Sequence, residues 1–260
     1  MGVVNATPDS FSDGGQFFEK ETALRHALHL AYAGADILDI GGESTRPGAE
    51  TISIEEEISR TIPVIEGLRH KGCAAAISID TRKPEVARAA VAAGASIWND
   101  VTALTYAPDS LDIAAGLSCD IVLMHAQGDP KTMQDDPHYD DVVEDVYAYL
   151  ARRIEACVKA GVHENRLIVD PGIGFGKTLD HNLALLVNLD RFPALGRPVL
   201  LGASRKRFIA ALDRDAPARD RLGGSIAAVL AGFGGGASIF RVHDVAATRQ
   251  ALAVAAAIGL

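Results

Sequence analysis

Asp80, Asn99 and Asp170 each close a short apolar run: Ile77-Ser78-Ile79, Ser96-Ile97-Trp98 and Leu167-Ile168-Val169 respectively. Two carboxylates and an amide can hold a flat polar heterocycle, because an amino-oxo-pyrimidine edge offers neighbouring N–H donors that a carboxylate accepts in pairs. Each residue has a plainer reading. Asp-Pro-Gly at 170–172 is a common turn, and Asp80-Thr81 can cap a helix. Repetition at successive run ends favours a site. The cations follow. Ser204-Arg205-Lys206-Arg207 stands where a helix should begin, a place where positive side chains oppose the helix dipole unless an anion or an electron-rich ring atom sits there. Arg241 and His243 are two apart on an extended run and face the same side, and arginine can grip a phosphate with two nitrogens. Asn5 ends the first run and offers one oxygen to Mg2+, which commonly takes only one or two protein ligands beside substrate phosphates and water. His26, His29 and His70 fall on helical stretches and read as solvated. His125 ends a run and can line a pocket, but no partner ligands are evident for it. No His, Cys or carboxylate cluster has transition-metal spacing.

These side chains need a scaffold that gathers strand ends. The chain repeats one unit: a short, mostly β-branched run, a polar ending, then a segment of helical periodicity. Eight endings can be counted, from Asn5 through Gly41-Gly42-Glu43-Ser44-Thr45-Arg46, Asp80, Asn99-Asp100, His125, Asp170 and Gly202-Ala203-Ser204 to Arg241. Alternating strand and helix implies a parallel sheet, and apolar runs without strict alternation imply strands covered on both faces. A (β/α)8 TIM barrel, with its site at the C-terminal ends of the strands, explains a polar ending on every unit better than a doubly wound open sheet does. Leu24, Ala27, Leu28 and Ala31 mark the inner face of the first helix. Val143, Val146, Leu150, Ile154 and Val158 mark that of the helix after the fifth strand. Pro84 suits a first helical turn. Two connections, over residues 6–20 and 41–54, are long and rich in Gly, Pro and hydroxyls, as expected of binding loops at the catalytic mouth.

A length of 260 residues fits one barrel domain spanning residues 1–260. A formal charge of -9 argues against non-specific nucleic-acid binding, which neutralises phosphates with Lys and Arg. No apolar stretch is long enough to span a bilayer, and the first residues read as a strand rather than a signal peptide. Three cysteines without ligand spacing read as reduced thiols of a cytoplasmic protein.

The same residues carry a resemblance to the dihydropteroate synthases. The matching stretches are Asn5 through Gly15, Gly41 through Gly48, Asp170-Pro171-Gly172-Ile173-Gly174-Phe175-Gly176-Lys177, Gly202 through Lys206, and Arg241-Val242-His243-Asp244. They run in order along essentially the whole chain. The resemblance implies a transferase that joins 4-aminobenzoate to a dihydropterin and expels diphosphate, with Mg2+ as cofactor. It implies a pterin pocket of Asp80, Asn99, Asp170 and Lys206, with Met124 and Phe175 beside the ring. Thr45, Asn5, Arg241 and His243 would hold the diphosphate, with Asn5 also on the metal. Phe11, Pro47, Ser204 and Phe175 would form the aminobenzoate pocket with Arg46 close by, and Asp13 would stabilise a cationic intermediate. It also implies a homodimer paired through outer helices. Family members have a segment before the first strand that closes the barrel floor, whereas Met1 stands almost on that strand. Ala6 and Ala126 are smaller than their usual counterparts. The alternatives are a corrinoid-dependent pterin methyltransferase, an inactive pterin-binding homologue, and a Schiff-base aldolase using Lys206. The first needs neither the Ser-Phe-Ser-Asp-Gly-Gly loop nor the Arg-Val-His clamp. An intact charged set argues against the second. The third suits a lysine on a strand in an apolar pocket better than one that starts a helix beside other cations.

Overall fold

The computed structural model describes residues 1–7, 16–44, 51–128, 133 and 135–260, and the side chains of all of these except 16–19. Strands β1 (Gly2–Asn5), β2 (Ile37–Gly41), β3 (Ala76–Asp80), β4 (Ile97–Asp100), β5 (Asp120–Met124) and β6 (Leu167–Asp170) form one parallel sheet in sequential order. Strands β7 (Leu200–Leu201) and β8 (Ile239–Phe240) pair with each other. Two bridges join these groups into a ring. Val169 meets Val199, and Gly2 meets Val242, with the Val3 N–H donating to the Val242 carbonyl at 3.1 Å and the Val242 N–H to that of Met1 at 2.9 Å. No strand order reverses, and the first and last strands close on each other, so the fold is the expected barrel and not an open sheet.

Helices α1 (Gln16–Tyr32), α2 (Ile54–His70), α3 (Pro84–Ala92), α4 (Ser110–Gly116), α5 (Val142–Lys159) and α6 (Leu179–Val187) follow the first six strands. Helices α7 (Arg207–Leu212) and α8 (Leu222–Gly234) follow β7, and α9 (Val245–Ala257) follows β8. Their starts have local causes. Ser53 caps α2 by accepting from the Glu56 N–H at 3.1 Å, and Glu55, Glu56 and Glu57 sit on its positive end. Thr178 and His181 form a reciprocal capping box on α6, and Pro84 opens α3 as expected. Because α1 begins at Gln16, the first long connection ends there and not at residue 20.

The main core lies between the outer barrel wall and the helices. Leu38, Ile40, Ile77, Ile79, Trp98, Ile121 and Leu123 point outward from the strands and are fully buried under helical side chains. On α5 the buried stripe is Val142, Val146, Leu150 and Cys157, while Val158 is half exposed. The turn angle of the helix brings Cys157 inward where the expected pattern had Val158.

A buried ion network ties α2 and α3 to the connection leaving β2. The Lys83 ammonium donates to Glu57 at 2.6 Å, to Glu43 at 2.7 Å and to the Ile52 carbonyl at 2.9 Å. Arg82 also meets Glu43, at 3.1 Å. Lys83→Met strands two carboxylates without their shared cation. We expect urea unfolding to show a loss of about 3–5 kcal/mol, since breaking a buried pair costs more than the pair contributes. An unchanged midpoint would mean that the carboxylates take up protons at no cost.

Candidate active site

Side chains alternate along an extended chain, so residues two apart face the same side. The barrel interior is therefore layered. The lowest layer is apolar and closes the floor: Met1, Ile37, Ala76, Ile97, Val122, Ile168, Leu200 and Ile239 pack together, one on or beside each strand. Two residues further along each strand the chemistry changes. That layer is Val3, Asp39, Ser78, Asn99, Met124, Asp170, Gly202 and Arg241. Two further again, Asn5, Gly41, Asp80, Ser204 and His243 stand at the mouth. Lateral register places Asn5 beside Gly41, Gly41 beside Asp80 and Asp80 beside Asn99, while Met124 pairs with Asp170.

On one side of this cavity Arg241 bridges two acids. Its Nε donates to Asp39 Oδ2 at 2.6 Å and its Nη2 to Asp80 Oδ2 at 2.7 Å. The Asn99 amide nitrogen lies 3.3 and 3.4 Å from the two oxygens of Asp39. Asp80 Oδ1 and Ser78 Oγ are buried and have no hydrogen-bond partner among the described residues. Burial pushes the Asp80 carboxyl up to about 7, against the pull of Arg241 and with help from the charge on Asp39.

On the other side Asp170 is buried, and its Oδ1 accepts the Gly172 N–H at 2.7 Å. Burial raises its pKa and Lys206 opposes the rise. The Lys206 ammonium donates to the Ile173 carbonyl and stands 4.5 Å above the centre of the Phe175 ring. Burial brings it down to about 8 in spite of Asp170. Gly202 lies between Asp170 and Arg241: a Cβ there would make ordinary contacts of 3.8 Å with Asp170 Oδ2 and 3.8 Å with Arg241 Cβ. The exits of β7 and β8 are locked together. Ser204 Oγ accepts the His243 N–H at 3.2 Å, and Arg205 grips Asp244 with two bonds of 2.6 and 2.9 Å. The result is one cavity in which Asp39, Asp170 and Arg241 share the lower layer, Asp80 stands above them at the mouth, and Lys206 faces Asp170.

The pterin binding enzyme family profile matches residues 1–243. The dihydropteroate synthase of Escherichia coli strain K12 is 46% identical over 254 residues, 98% of this chain and 89% of that protein. The crystal structure of Xanthomonas albilineans dihydropteroate synthase with 4-aminobenzoic acid superposes with a TM-score of 0.94 at 52% identity, covering 100% of this chain and 92% of the other. The Yersinia pestis dihydropteroate synthase in complex with a sulfonamide drug gives a TM-score of 0.94 at 43% identity, covering 100% and 93%. The chain belongs to the pterin-binding enzymes, among the dihydropteroate synthases.

Measured against the family expectation, Asp80, Asn99, Met124 and Asp170 do line one cavity, with Phe175 and Lys206 on the Asp170 side. Asn5, Ser204 and His243 reach the mouth from β1 and from beyond β7 and β8. Phe11, Asp13, Thr45, Arg46 and Pro47 lie outside the described residues. One expectation needs correction, that for His125. Arg241 and His243 face the same side as expected, with Arg241 one layer below the mouth, where it bridges Asp39 and Asp80. It turns inward, because a carboxylate as buried as Asp39 requires a cation. His125 does not face the pocket. It alternates with Met124 and so points outward, where it packs edge-on against Tyr149, with ring centres 4.8 Å apart, and meets Lys177 Nζ at 2.9 Å. Lys206 starts α7 as foreseen and faces a carbonyl and a ring, an arrangement unlike that of a Schiff-base lysine.

Asp39 went unforeseen as a site residue. Its signal was available: an aspartate within Ile37–Gly41, in phase with Gly41 and out of phase with the buried Leu38 and Ile40. A Mg2+ ion fits the donor set only in a limited way. Asn5 supplies a single amide oxygen, and among the described residues no group of three or more His, Cys, Asp or Glu could hold a metal. That suits an ion carried largely by substrate oxygens and not one held in a protein cage.

Proposed function

We propose that residues 1–260 work as one pterin-binding barrel that condenses (7,8-dihydropterin-6-yl)methyl diphosphate with 4-aminobenzoate, giving 7,8-dihydropteroate and diphosphate. The observation that carries this reading is the buried Asp80 Oδ1, without a partner among the described residues, sharing a cavity with Asp170. A buried acceptor left unsatisfied costs free energy until a ligand supplies N–H groups, and the dihydropterin edge supplies them.

In this reading Asp170 accepts from the amino-pyrimidine edge, Asp80 and Asn99 bind the far side of the bicycle, and Lys206 approaches the oxo group. Met124 and Phe175 flank the rings. Arg241 commits Nε and Nη2 to carboxylates, so Nη1 is the edge it turns to the diphosphate, beside His243, Asn5 and Thr45. Asn5 would hold Mg2+, which would supply charge neutralisation on the leaving diphosphate. The methylene carbon–oxygen bond breaks with its electron pair going to diphosphate. The positive charge left on carbon spreads into the electron-rich ring, and Asp13 stabilises it. The amine of 4-aminobenzoate, held by Phe11, Arg46, Pro47, Phe175 and Ser204, then forms the carbon–nitrogen bond and releases a proton. No protein nucleophile takes part, so alignment of the amine and exclusion of water provide the rate gain. Free thiols at Cys73, Cys119 and Cys157 support a reducing, cytoplasmic setting. Among the described residues no helix is long and apolar enough to cross a membrane. The family resemblance supports a homodimer.

The direct test is incubation with the dihydropterin diphosphate, Mg2+ and 4-aminobenzoate. Dihydropteroate and diphosphate released in equal amounts support the reading, and a protein that binds pterin without turnover would be the inactive homologue. Asp13→Ala is expected to spare affinity for the pterin diphosphate and to lower kcat by at least about tenfold, the scale of one electrostatic contact in a transition state. Equal kcat would remove Asp13 from the mechanism.

A further inference from the structure

Lys177 is a buried cation for which the reaction above has no use. It ends the β6–α6 connection that begins at Asp170, and only 3% of its surface is exposed. Its ammonium donates to the Phe175 carbonyl at 3.0 Å and to the His125 carbonyl at 3.3 Å, and lies 2.9 Å from His125 Nδ1. None of these partners is a carboxylate. A charge held underground by neutral acceptors is costly, and a methionine would fill the same volume at lower cost. The placement calls for a reason beyond packing.

The surrounding backbone indicates one. Gly172 and Gly176 have φ of +70° and +61°, and a Cβ on either would strike the backbone of His125 or Gln127, at 1.9 and 2.4 Å. The connection from Asp170 to Lys177 thus lies backbone to backbone on the exit of β5. Tyr139 adds a bond of 2.7 Å from its hydroxyl to the Gly176 carbonyl. The outer face of the same connection presents the Ile173 carbonyl and the Phe175 ring to Lys206. Lys177 holds the segment from below at Phe175, and Lys206 meets it from above at the same residue.

We propose that Lys177, with His125 as its anchor, is a positioning residue for the pterin pocket: it fixes Phe175 and the Ile173 carbonyl beneath Lys206 and places a positive charge behind Asp170. The inference rests on the pterin reading of that pocket. The charged and titratable groups facing Lys177 are His125 from β5, Asp170 from β6, Lys206 from the start of α7 and His181 from α6. Burial and the Lys177 charge keep His125 neutral, its pKa brought down to about 3, so its ring can accept from the ammonium. Burial brings Lys177 itself down to about 7, with Asp170 holding it up and Lys206 pressing it further down. Below that pH Lys177 is charged and favours ionised Asp170, and it also disfavours a charged Lys206.

Lys177→Met tests this in the full-length protein. Calorimetric titration with a dihydropterin lacking the diphosphate should show at least about a tenfold loss of affinity at pH 7, equivalent to about 1.4 kcal/mol. Without the cation Asp170 takes up its proton at higher pH, so the acid limb of the affinity–pH profile should move upward, while the alkaline limb, set near pH 8 by Lys206 where Lys177 has already lost its proton, should stay in place. A staple that only held the fold would move neither limb. His125→Leu keeps the cation and both carbonyl acceptors, so it should lower affinity less and leave the acid limb in place. It also serves as the second variant if Lys177→Met fails to fold. Amide hydrogen exchange over residues 170–177 should quicken in both variants without any ligand. Wild-type protein that binds no dihydropterin would overturn the pterin reading, with the exchange result still judging the anchor. Wild-type binding matched by both variants, or unaltered exchange, would overturn the inference itself.

Discussion

Asp170→Asn is expected to weaken dihydropterin binding by about 3 kcal/mol, on the order of a hundredfold in Kd, while leaving the fold intact. The fold should survive because the bond that Asp170 makes to protein, from the Gly172 N–H to Oδ1, needs only a carbonyl-type oxygen, which asparagine retains. The loss arises at the other oxygen, where an acceptor becomes an amide NH2. A donor then faces the donors of the pyrimidine edge, so a charge-assisted bond is lost and a buried group is left without a partner. Titration calorimetry with the dihydropterin decides the matter, and equal affinity in variant and wild type would remove Asp170 from the recognition edge. The raised pKa of Asp170 gives the same dependence a pH signature: affinity should fall as pH falls through its folded value, when the acceptor acquires a proton.

Arg241→Met is expected to abolish turnover and also to destabilise the free protein by about 3–5 kcal/mol, since it leaves Asp39 and Asp80 facing each other without a cation. The two effects are separable. Asp39→Asn in the Arg241→Met background removes one of the stranded charges, so the double variant should regain stability relative to Arg241→Met alone without regaining turnover. Urea unfolding of the four proteins in the cycle reads the coupling directly. Additive losses would mean that the guanidinium and the Asp39 carboxylate do not stabilise each other, in spite of their 2.6 Å contact. The contact also has a consequence for binding. A diphosphate that draws on Arg241 competes with two carboxylates, so raising ionic strength should weaken diphosphate binding more than binding of the bare pterin.

How much of this was legible in the chain varies with the range of the interaction. The strand–helix alternation, Pro84 at the start of α3 and the polar strand endings are local patterns, and the structure keeps them. On α5 helical spacing predicts Val158 on the inner stripe, and the structure buries Cys157 instead. Val158 and Cys157 are neighbours, and only the packed wall decides which of them faces inward. Asp39 lies within an apolar strand and not at its end, so only its period-two phase with Gly41 marks it as facing the cavity. Arg241 and His243 do share a side, as their spacing required, yet they lie in different layers with different partners.

The order of residues by itself determined the barrel and the family, and it marked Asp80, Asn99 and Asp170 as strand-end groups, because strand periodicity and run endings are properties of neighbours along the chain. Only the tertiary structure decided that Arg241 spends its charge on Asp39 and Asp80, that His125 turns away to meet Lys177, and that one oxygen of Asp80 has no partner among the described residues. The physical reason is that pairing between buried charges depends on distance and desolvation across the ring of strands, between residues up to 202 positions apart, and neither quantity is written in local spacing.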